Sequence, residues 1–185
     1  MITNIYLVRH ADSTYTPEEL TRPLSNKGFK DAEIVTKILL TESITHVVAS
    51  PYKRAVQTVE GLANTLGLSI TLYEEFRERK LAEGPVEDFQ ASVMKVWQDL
   101  EFSFKGGESG NEAQQRGVQV LQRILKEHEG GNIVIGTHGN IMVLIMNYFD
   151  ESYDYNSWRE LQMPDIYKLS FEEGAFIRAE QLWIK

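Results

Sequence analysis

Short apolar runs alternate along the chain with longer stretches in which apolar residues return every three or four positions. The runs are Ile5-Tyr6-Leu7-Val8, His46-Val47-Val48-Ala49, Ser69-Ile70-Thr71-Leu72-Tyr73 and Asn132-Ile133-Val134-Ile135-Gly136, and each predicts a strand. Thr14 to Leu24 is polar, contains Pro17 and Pro23, and reads as a loop. Ser25 then offers an N-cap for a helix to about Leu40, on which Ala32, Val35, Ile38 and Leu39 share one face. A second helix covers roughly Arg54 to Leu66 and stops at Gly67. Ser109-Gly110-Asn111-Glu112 has the form of a capping box. It opens a helix to about His128, with Ala113, Val120, Leu121, Ile124 and Leu125 toward the core. An apolar helix from Ile141 to about Tyr148 follows the fourth strand. Ile166–Phe171 and Ala175–Ile184, joined by Glu172-Glu173-Gly174, form a closing β-hairpin. Strands alternating with helices predict an α/β fold, a three-layer sandwich whose mainly parallel central sheet is flanked by helices.

Two stretches break the rhythm. Glu74-Glu75-Phe76-Arg77-Glu78-Arg79-Lys80 is densely charged, and Gly84-Pro85 interrupts the chain soon after. A helix from about Val86 to Leu100 then carries Phe89, Val93, Val96 and Trp97, with core packing expected for Phe89 and Trp97. The second stretch, Phe149 to Pro164, mixes aromatic and polar residues without a period that assigns an element. No repeat, low-complexity segment or linker divides the chain. Residues 1–185 therefore read as one domain, with a lid-like insertion at about 79–107.

Charge and composition narrow the function. A formal net charge of -8 gives no general attraction to nucleic acid or to an anionic membrane, so any basic site must be a local pocket in an acidic body. There are no cysteines, which removes disulfides, thiol nucleophiles and Cys-based metal sites. The N-terminus begins directly in a strand without a signal-like pattern, and the longest apolar run, Ile141 to Met146, is far short of a membrane span. The expectation is a cytoplasmic protein.

Three strands end in chemically active residues. Val8 runs into Arg9-His10, Ala49 into Ser50 with Arg54 close behind, and Ile135 into Thr137-His138. Ligands of open α/β sheets sit beyond the carboxyl ends of the parallel strands, so parallel neighbours would bring two histidines and two arginines into one crevice. Two of these ends lead into helix N-termini, which favour anions, and Gly139 would let the backbone approach a ligand closely. The expected guest is a phosphate, which arginine's planar fork suits. A metal site on His10, Asp12 and His138 is the alternative, but two neighbouring cations would repel a divalent ion. His46 and His128 read as structural, the latter in a helix's last turn where a cation is favoured.

Leu7-Val8-Arg9-His10-Ala11 resembles the Arg-His-Gly signature of the histidine phosphatase superfamily, the phosphoglycerate-mutase-like group. Pro23-Leu24-Ser25-Asn26-Lys27-Gly28 resembles that family's segment opening the first helix, and Ser50-Pro51-Tyr52-Lys53-Arg54-Ala55-Val56-Gln57-Thr58 its second arginine segment. Phe76-Arg77-Glu78 is similar to the segment of its catalytic acid, and Gly136-Thr137-His138-Gly139 to that of its second histidine. These matches come in family order from Ile2 to about Leu144. Ala11 and Ala82 stand where relatives often have glycine, but neither change removes a reacting group.

The resemblance implies a phosphoglycerate-mutase-like fold and a hydrolase that needs no metal or organic cofactor. His10 would attack phosphorus to form a phosphohistidine, which water then hydrolyses. A backbone carbonyl would fix the tautomer of His10. Arg9, Arg54 and His138 would hold the phosphoryl oxygens, and Glu78 would serve as general acid and base. Glu74, Glu75 and Glu83 compete for that last role, and only the motif register selects Glu78. Ser13 and Thr137 are candidates for secondary phosphate contacts. Mutases of the family resemble longer chains with a basic insertion. Here residues 83–107 are short, carry acidic and aromatic residues, and have only Lys95 and Lys105 as cations. The expectation is a phosphatase acting on a small-molecule phosphate ester, with the substrate open among sugar phosphates, phosphoglycerates, nucleotides and phosphohistidine. A phosphoglycerate-type mutase and a non-catalytic phosphate-binding regulatory module are the alternatives, and both monomer and dimer remain compatible.

Overall fold

Alternation along the first strand sets the layers. In β1 (Ile2–Arg9), Ile5 and Leu7 point into one core cluster, Tyr6 and Val8 into another, and all four are fully buried. The computed structural model describes residues 1–184 and shows a three-layer α/β sandwich around one six-stranded sheet. The remaining strands are β2 (His46–Ala49), β3 (Ile70–Leu72), β4 (Asn132–Thr137), β5 (Asp165–Glu172) and β6 (Ala175–Gln181). Their order is β3-β2-β4-β1-β5-β6. β1 to β4 are mutually parallel, while β5 and β6 run antiparallel as the predicted hairpin. Arg9 lies opposite Thr137 and Ala49 opposite Gly136, so the three active strand ends finish side by side.

The face of Tyr6 and Val8 is covered by α1 (Asn26–Leu39) and α2 (Lys53–Leu66), through Val35, Leu39, Val59 and Leu62. Ser25 caps α1 as its sequence suggests, accepting the Gly28 N–H. A side chain at residue 28 is excluded by space: a Cβ there would lie 2.0 Å from the Asp12 carbonyl, so α1 packs directly on the loop that follows β1. The opposite face is covered by α4 (Gly110–Glu127) and α5 (Gly139–Phe149), with Leu121, Ile124, Ile141 and Ile145 in the larger cluster. The capping box at Ser109 and Glu112 is present in both directions.

The two irregular stretches also pack on this face. α3 (Phe89–Gln98) starts three residues later than its apolar pattern suggests, because Asp88 caps it through the Ala91 N–H. Val93 and Val96 bury in the core and Trp97 packs against it, whereas Phe89, expected in the core, is 52% exposed. Between Phe149 and Pro164 lies α6 (Tyr155–Glu160), whose Asp154 cap accepts the N–H groups of Asn156 and Ser157. Six residues are too few to display a helical period, which is why the pattern alone did not reveal it. No helix among the described residues is long and apolar enough to cross a membrane.

Candidate active site

The parallel strand ends bring four of the five expected reacting residues together, and α5 brings the fifth. His10, directly after β1, is 8% exposed, and its ring lies edge-on to that of His138 with centroids 5.2 Å apart. Its Nδ1 is 2.8 Å from the Ala11 carbonyl, which can only accept, so the ring proton sits on Nδ1. Nε2 therefore carries the lone pair, and Arg54 Nε donates to it at 3.3 Å. Burial pushes the pKa of His10 down to about 3 against the opposing Ala11 bond, and the charges of Arg54, Arg9 and Arg22 push the same way as burial. The nucleophile candidate is thus neutral imidazole with its lone pair aimed at an arginine. Ala11 in place of the usual glycine costs nothing in backbone conformation: the only non-glycine residues with positive φ among those described are Ser43 and Glu173.

His138 follows β4 and is fully buried. Burial holds its pKa well below the ordinary histidine value, reinforced by His10, Arg54, Arg116 and Arg9. Its Nε2 lies 2.9 Å from the Ser50 hydroxyl, and the same hydroxyl oxygen accepts the Tyr52 N–H at 3.3 Å. With an N–H already accepted, the hydroxyl proton of buried Ser50 is satisfied only by donating to Nε2. The one proton of neutral His138 then resides on Nδ1, which has no partner among the described residues. Arg9 presents a second such donor, its buried Nε. One Nη of Arg9 is tied to the carbonyls of Leu161 and Gln162 at 3.0 and 3.1 Å. Burial lowers the pKa of Arg9, while Glu78 and Asp165 oppose the shift. A Cβ at residue 139 would come within 3.1 Å of Arg9 Nε, so Gly139 makes room for this guanidinium rather than for a ligand approaching the backbone.

Glu78 corrects one expectation about anions. The N-terminus of α5, expected to face a phosphate, is occupied by its carboxylate: Oε2 accepts the Asn140 N–H and Oε1 the Ile141 N–H, both at 3.0 Å. At α2 the Lys53 N–H goes to the Leu20 carbonyl, so side-chain donors supply the free N–H groups of this crevice. Oε1 of Glu78 also accepts the Arg79 N–H, which leaves Oε2 with a lone pair to spare. The flanking cations turn away from Glu78, Arg77 to the Glu108 carboxylate and Arg79 to the Glu108 carbonyl. Arg116 locks this segment, pairing with Glu108 and donating to the carbonyls of Glu75, Arg77 and Glu78.

Two secondary candidates stand differently from expectation. Thr137 donates its only hydroxyl proton to the Phe76 carbonyl at 2.8 Å, so it has none for a phosphate oxygen. Ser13 is half-buried and pairs through its backbone with Leu24, fixing the loop after β1. Asp12 accepts the Ser25 hydroxyl, and no cluster of three or more metal-ligating side chains exists among the described residues. Glu19 went unnoticed in the sequence. Its carboxylate bridges Arg54 and Arg22 at 3.0 Å each, and its carbonyl accepts a further Arg54 N–H. Nothing in a polar loop distinguishes that one acid from its neighbours.

Beside Arg9, between α3 and α6, opens a cavity of about 590 Å³ walled by Phe89, Tyr155 and Trp158. Arg9, His10 and His138 thus meet at the strand ends, with unpartnered N–H groups on Arg9 and His138 among the described residues, and Arg9 also lines the open room.

Comparison with known proteins gives a consistent neighbourhood. The profile of the histidine phosphatase superfamily (branch 1) matches residues 5–180. Phosphoglycerate mutase-like protein 4 of Arabidopsis thaliana is 31% identical over 154 residues, covering 75% of this chain and 67% of that protein. A metal-independent phosphoserine phosphatase of the same plant is 27% identical over 158 residues, covering 76% and 66%. Among solved structures, a mycobacterial glucosyl-3-phosphoglycerate phosphatase superposes with a TM-score of 0.79 at 18% identity, over 98% of this chain and 97% of that one.

Proposed function

We propose, for a chain that belongs to the histidine phosphatase superfamily, that it hydrolyses a small phosphomonoester through a phosphohistidine on His10, without a metal ion. The observation that carries this reading is the bond from His10 Nδ1 to the Ala11 carbonyl, which leaves Nε2 unprotonated and pointed into the crevice. In the first step the Nε2 lone pair attacks phosphorus and the ester P–O bond breaks. The departing alkoxide takes a proton from Glu78, whose spare Oε2 lone pair is the proton's position. In the second step water attacks the phosphoryl group, the P–N bond breaks, and the water's proton returns to Glu78. Arg54 releases its bond to His10 Nε2 as phosphorus approaches, and Arg9 Nε and His138 Nδ1, both without a partner among the described residues, are the further donors that stabilise the oxygens as charge builds on them. Substrate would take over the Arg54 donors that Glu19 now holds.

Hydrolysis is favoured over transfer by the 83–107 segment. Of its two cations, Lys95 lies over the rings of Phe102 and Phe104, and Lys105 pairs with Glu83. Neither lines the room beside Arg9, so the 83–107 segment brings no cation to the substrate there. Relatives named as phosphoserine phosphatases are in keeping with this direction. The test is release of phosphate from p-nitrophenyl phosphate in excess EDTA. The wild type turns over, and His10→Ala loses on the order of 10⁴-fold or more, as removal of a nucleophile does. Turnover that requires an added divalent ion, or that survives in His10→Ala, would overturn the mechanism.

A further inference from the structure

The cavity between α3 and α6 has a chemical character of its own. Phe89 stands 52% exposed at the start of α3, with its ring 6.3 Å from that of Trp158 across the helix pair. Tyr155 stacks on Trp158 at 5.8 Å, and the Phe89 ring is inclined to Trp158 by 55°, so the wall is an aromatic corner backed by the core. Such surface left open on a helix otherwise anchored by buried Val93 and Val96 is unusual unless something covers it. Arg159 and Gln90 complete the lining, and no acidic residue takes part in it. The guanidinium of Arg159 lies 5.7 Å from the Tyr155 ring centre and is exposed. It pairs with no carboxylate among the described residues, in a chain whose acids outnumber its bases by eight. Arg9 lines the cavity and directly precedes His10, which places the cavity beside the crevice and makes it room for the alcohol part of an ester held at His10.

We infer that this cavity selects a phosphomonoester whose alcohol part contains a ring and, beyond the ring, a second anionic group. The ring lies against Phe89 and Trp158, and the anion, a carboxylate or a phosphate, is met by Arg159. This rests on the phosphatase reading above and specifies its substrate. Size supports the first half: an open room of about 590 Å³ accommodates a ring, and a three-carbon chain would leave most of it wet. Aromatic faces reward a flat partner beyond the area they cover. The second half follows from the charge. An unpaired planar guanidinium over an aromatic ring is suited to a carboxylate or phosphate, which it grips with two parallel hydrogen bonds.

The experiment compares kcat/KM for ethyl, benzyl, 4-carboxybenzyl and 4-phosphonobenzyl phosphates in wild type, Arg159→Gln and Phe89→Ala. All four are alkyl esters, so differences in the leaving group's own reactivity are small. Wild type prefers 4-carboxybenzyl or 4-phosphonobenzyl phosphate over benzyl phosphate by about fivefold or more, the yield of one accessible charge pair. Whichever arm is larger identifies the second anion. Arg159→Gln erases that preference by lowering kcat/KM for the two charged benzyl esters toward that for benzyl phosphate. Phe89→Ala lowers the benzyl-over-ethyl preference several-fold. A wild type that treats charged and uncharged benzyl esters alike, or a preference that persists in Arg159→Gln, overturns the assignment while leaving the phosphatase standing. Failure to hydrolyse any of the four overturns both.

Discussion

The chain's four histidines form two pairs, one at each end of the sheet, and they differ in almost every respect. His10 and His138 meet edge-on at the carboxyl ends of β1 and β4, nearly or wholly buried, with arginines close by. His46 and His128 meet at the first residue of β2 and the C-cap of α4, with centroids 3.9 Å apart in a tilted stack. His46 is exposed and His128 half-buried, and the former bonds only to the neighbouring Thr45 hydroxyl. Burial lowers the pKa of His46 too, with His128 adding to it, so direction of titration does not separate the pairs. What separates them is commitment of the second nitrogen. In the buried pair one nitrogen of each ring is fixed by a carbonyl or hydroxyl and the other is delivered to a common space. In the exposed pair His46 also has one nitrogen on a hydroxyl, but its ring opens to solvent and no arginine bonds to it among the described residues. On the proposed mechanism, two close imidazoles serve as a reaction centre when they are buried beside arginines at the strand ends.

Three measurements sharpen or break that comparison. The largest effect belongs to His138→Ala, which removes a donor aimed at the phosphoryl oxygens and lowers kcat/KM about 10²–10³-fold. His46→Gln in the same assay stays within about twofold; an equal loss in both would erase the distinction between the pairs. Ser50→Ala comes next, with about a tenfold loss in kcat/KM, because it releases the tautomer of His138 rather than the ring itself. Its specific signature is in ¹⁵N spectra of the ring: the Nδ1-protonated form of the wild type gives way to a mixture. An unchanged tautomer would show that Ser50 does not set it. The smallest effect is on stability. A histidine held neutral with a pKa near 3 binds no proton between pH 6.5 and 3, whereas the unfolded chain does, so protons favour the unfolded state there. Unfolding free energy therefore falls on acidification, by up to about 1.4 kcal/mol per pH unit for His10, and His138 acts in the same direction. Urea titrations from pH 7 to 4.5 should show a shallower slope in His10→Gln and a smaller change of the same sign in the exposed His46→Gln. Parallel slopes for wild type and His10→Gln would contradict the buried neutral state.

Legibility from sequence followed the same division. β1, β2 and β4 announce themselves because an apolar run ends abruptly in Arg9-His10, Ser50 or Thr137-His138, a combination that core packing never requires. Ser25 and Ser109 are readable because capping is local chemistry. What the sequence hides is the identity of hydrogen-bond partners brought from far away. Glu19 on Arg54 is 35 positions distant, and the Thr137 bond to the Phe76 carbonyl spans 61. Glu78 on the α5 N-terminus depends on a long-range placement that no spacing encodes, so the N–H groups counted as available for an anion were already used. Phe89 shows the same limit for packing. Its position relative to Val93 and Val96 suits a buried stripe, and only the placement of α6 turns its ring toward an open room.

β1, which delivers Arg9 and His10, is made first and completed late. Its hydrogen-bonded neighbours are β4 and β5, so Asn4 waits for Asn132 and Ile2 for Glu172. On a ribosome adding 5–20 residues per second, that interval is roughly 6–30 s. During it the strand's Ile5, Tyr6, Leu7 and Val8 have no sheet to join, and the pairing must close a loop of well over a hundred residues. The nascent chain therefore carries an unpaired β1 until β4 and β5 have been made, and the side chains of the candidate site cannot assemble before then.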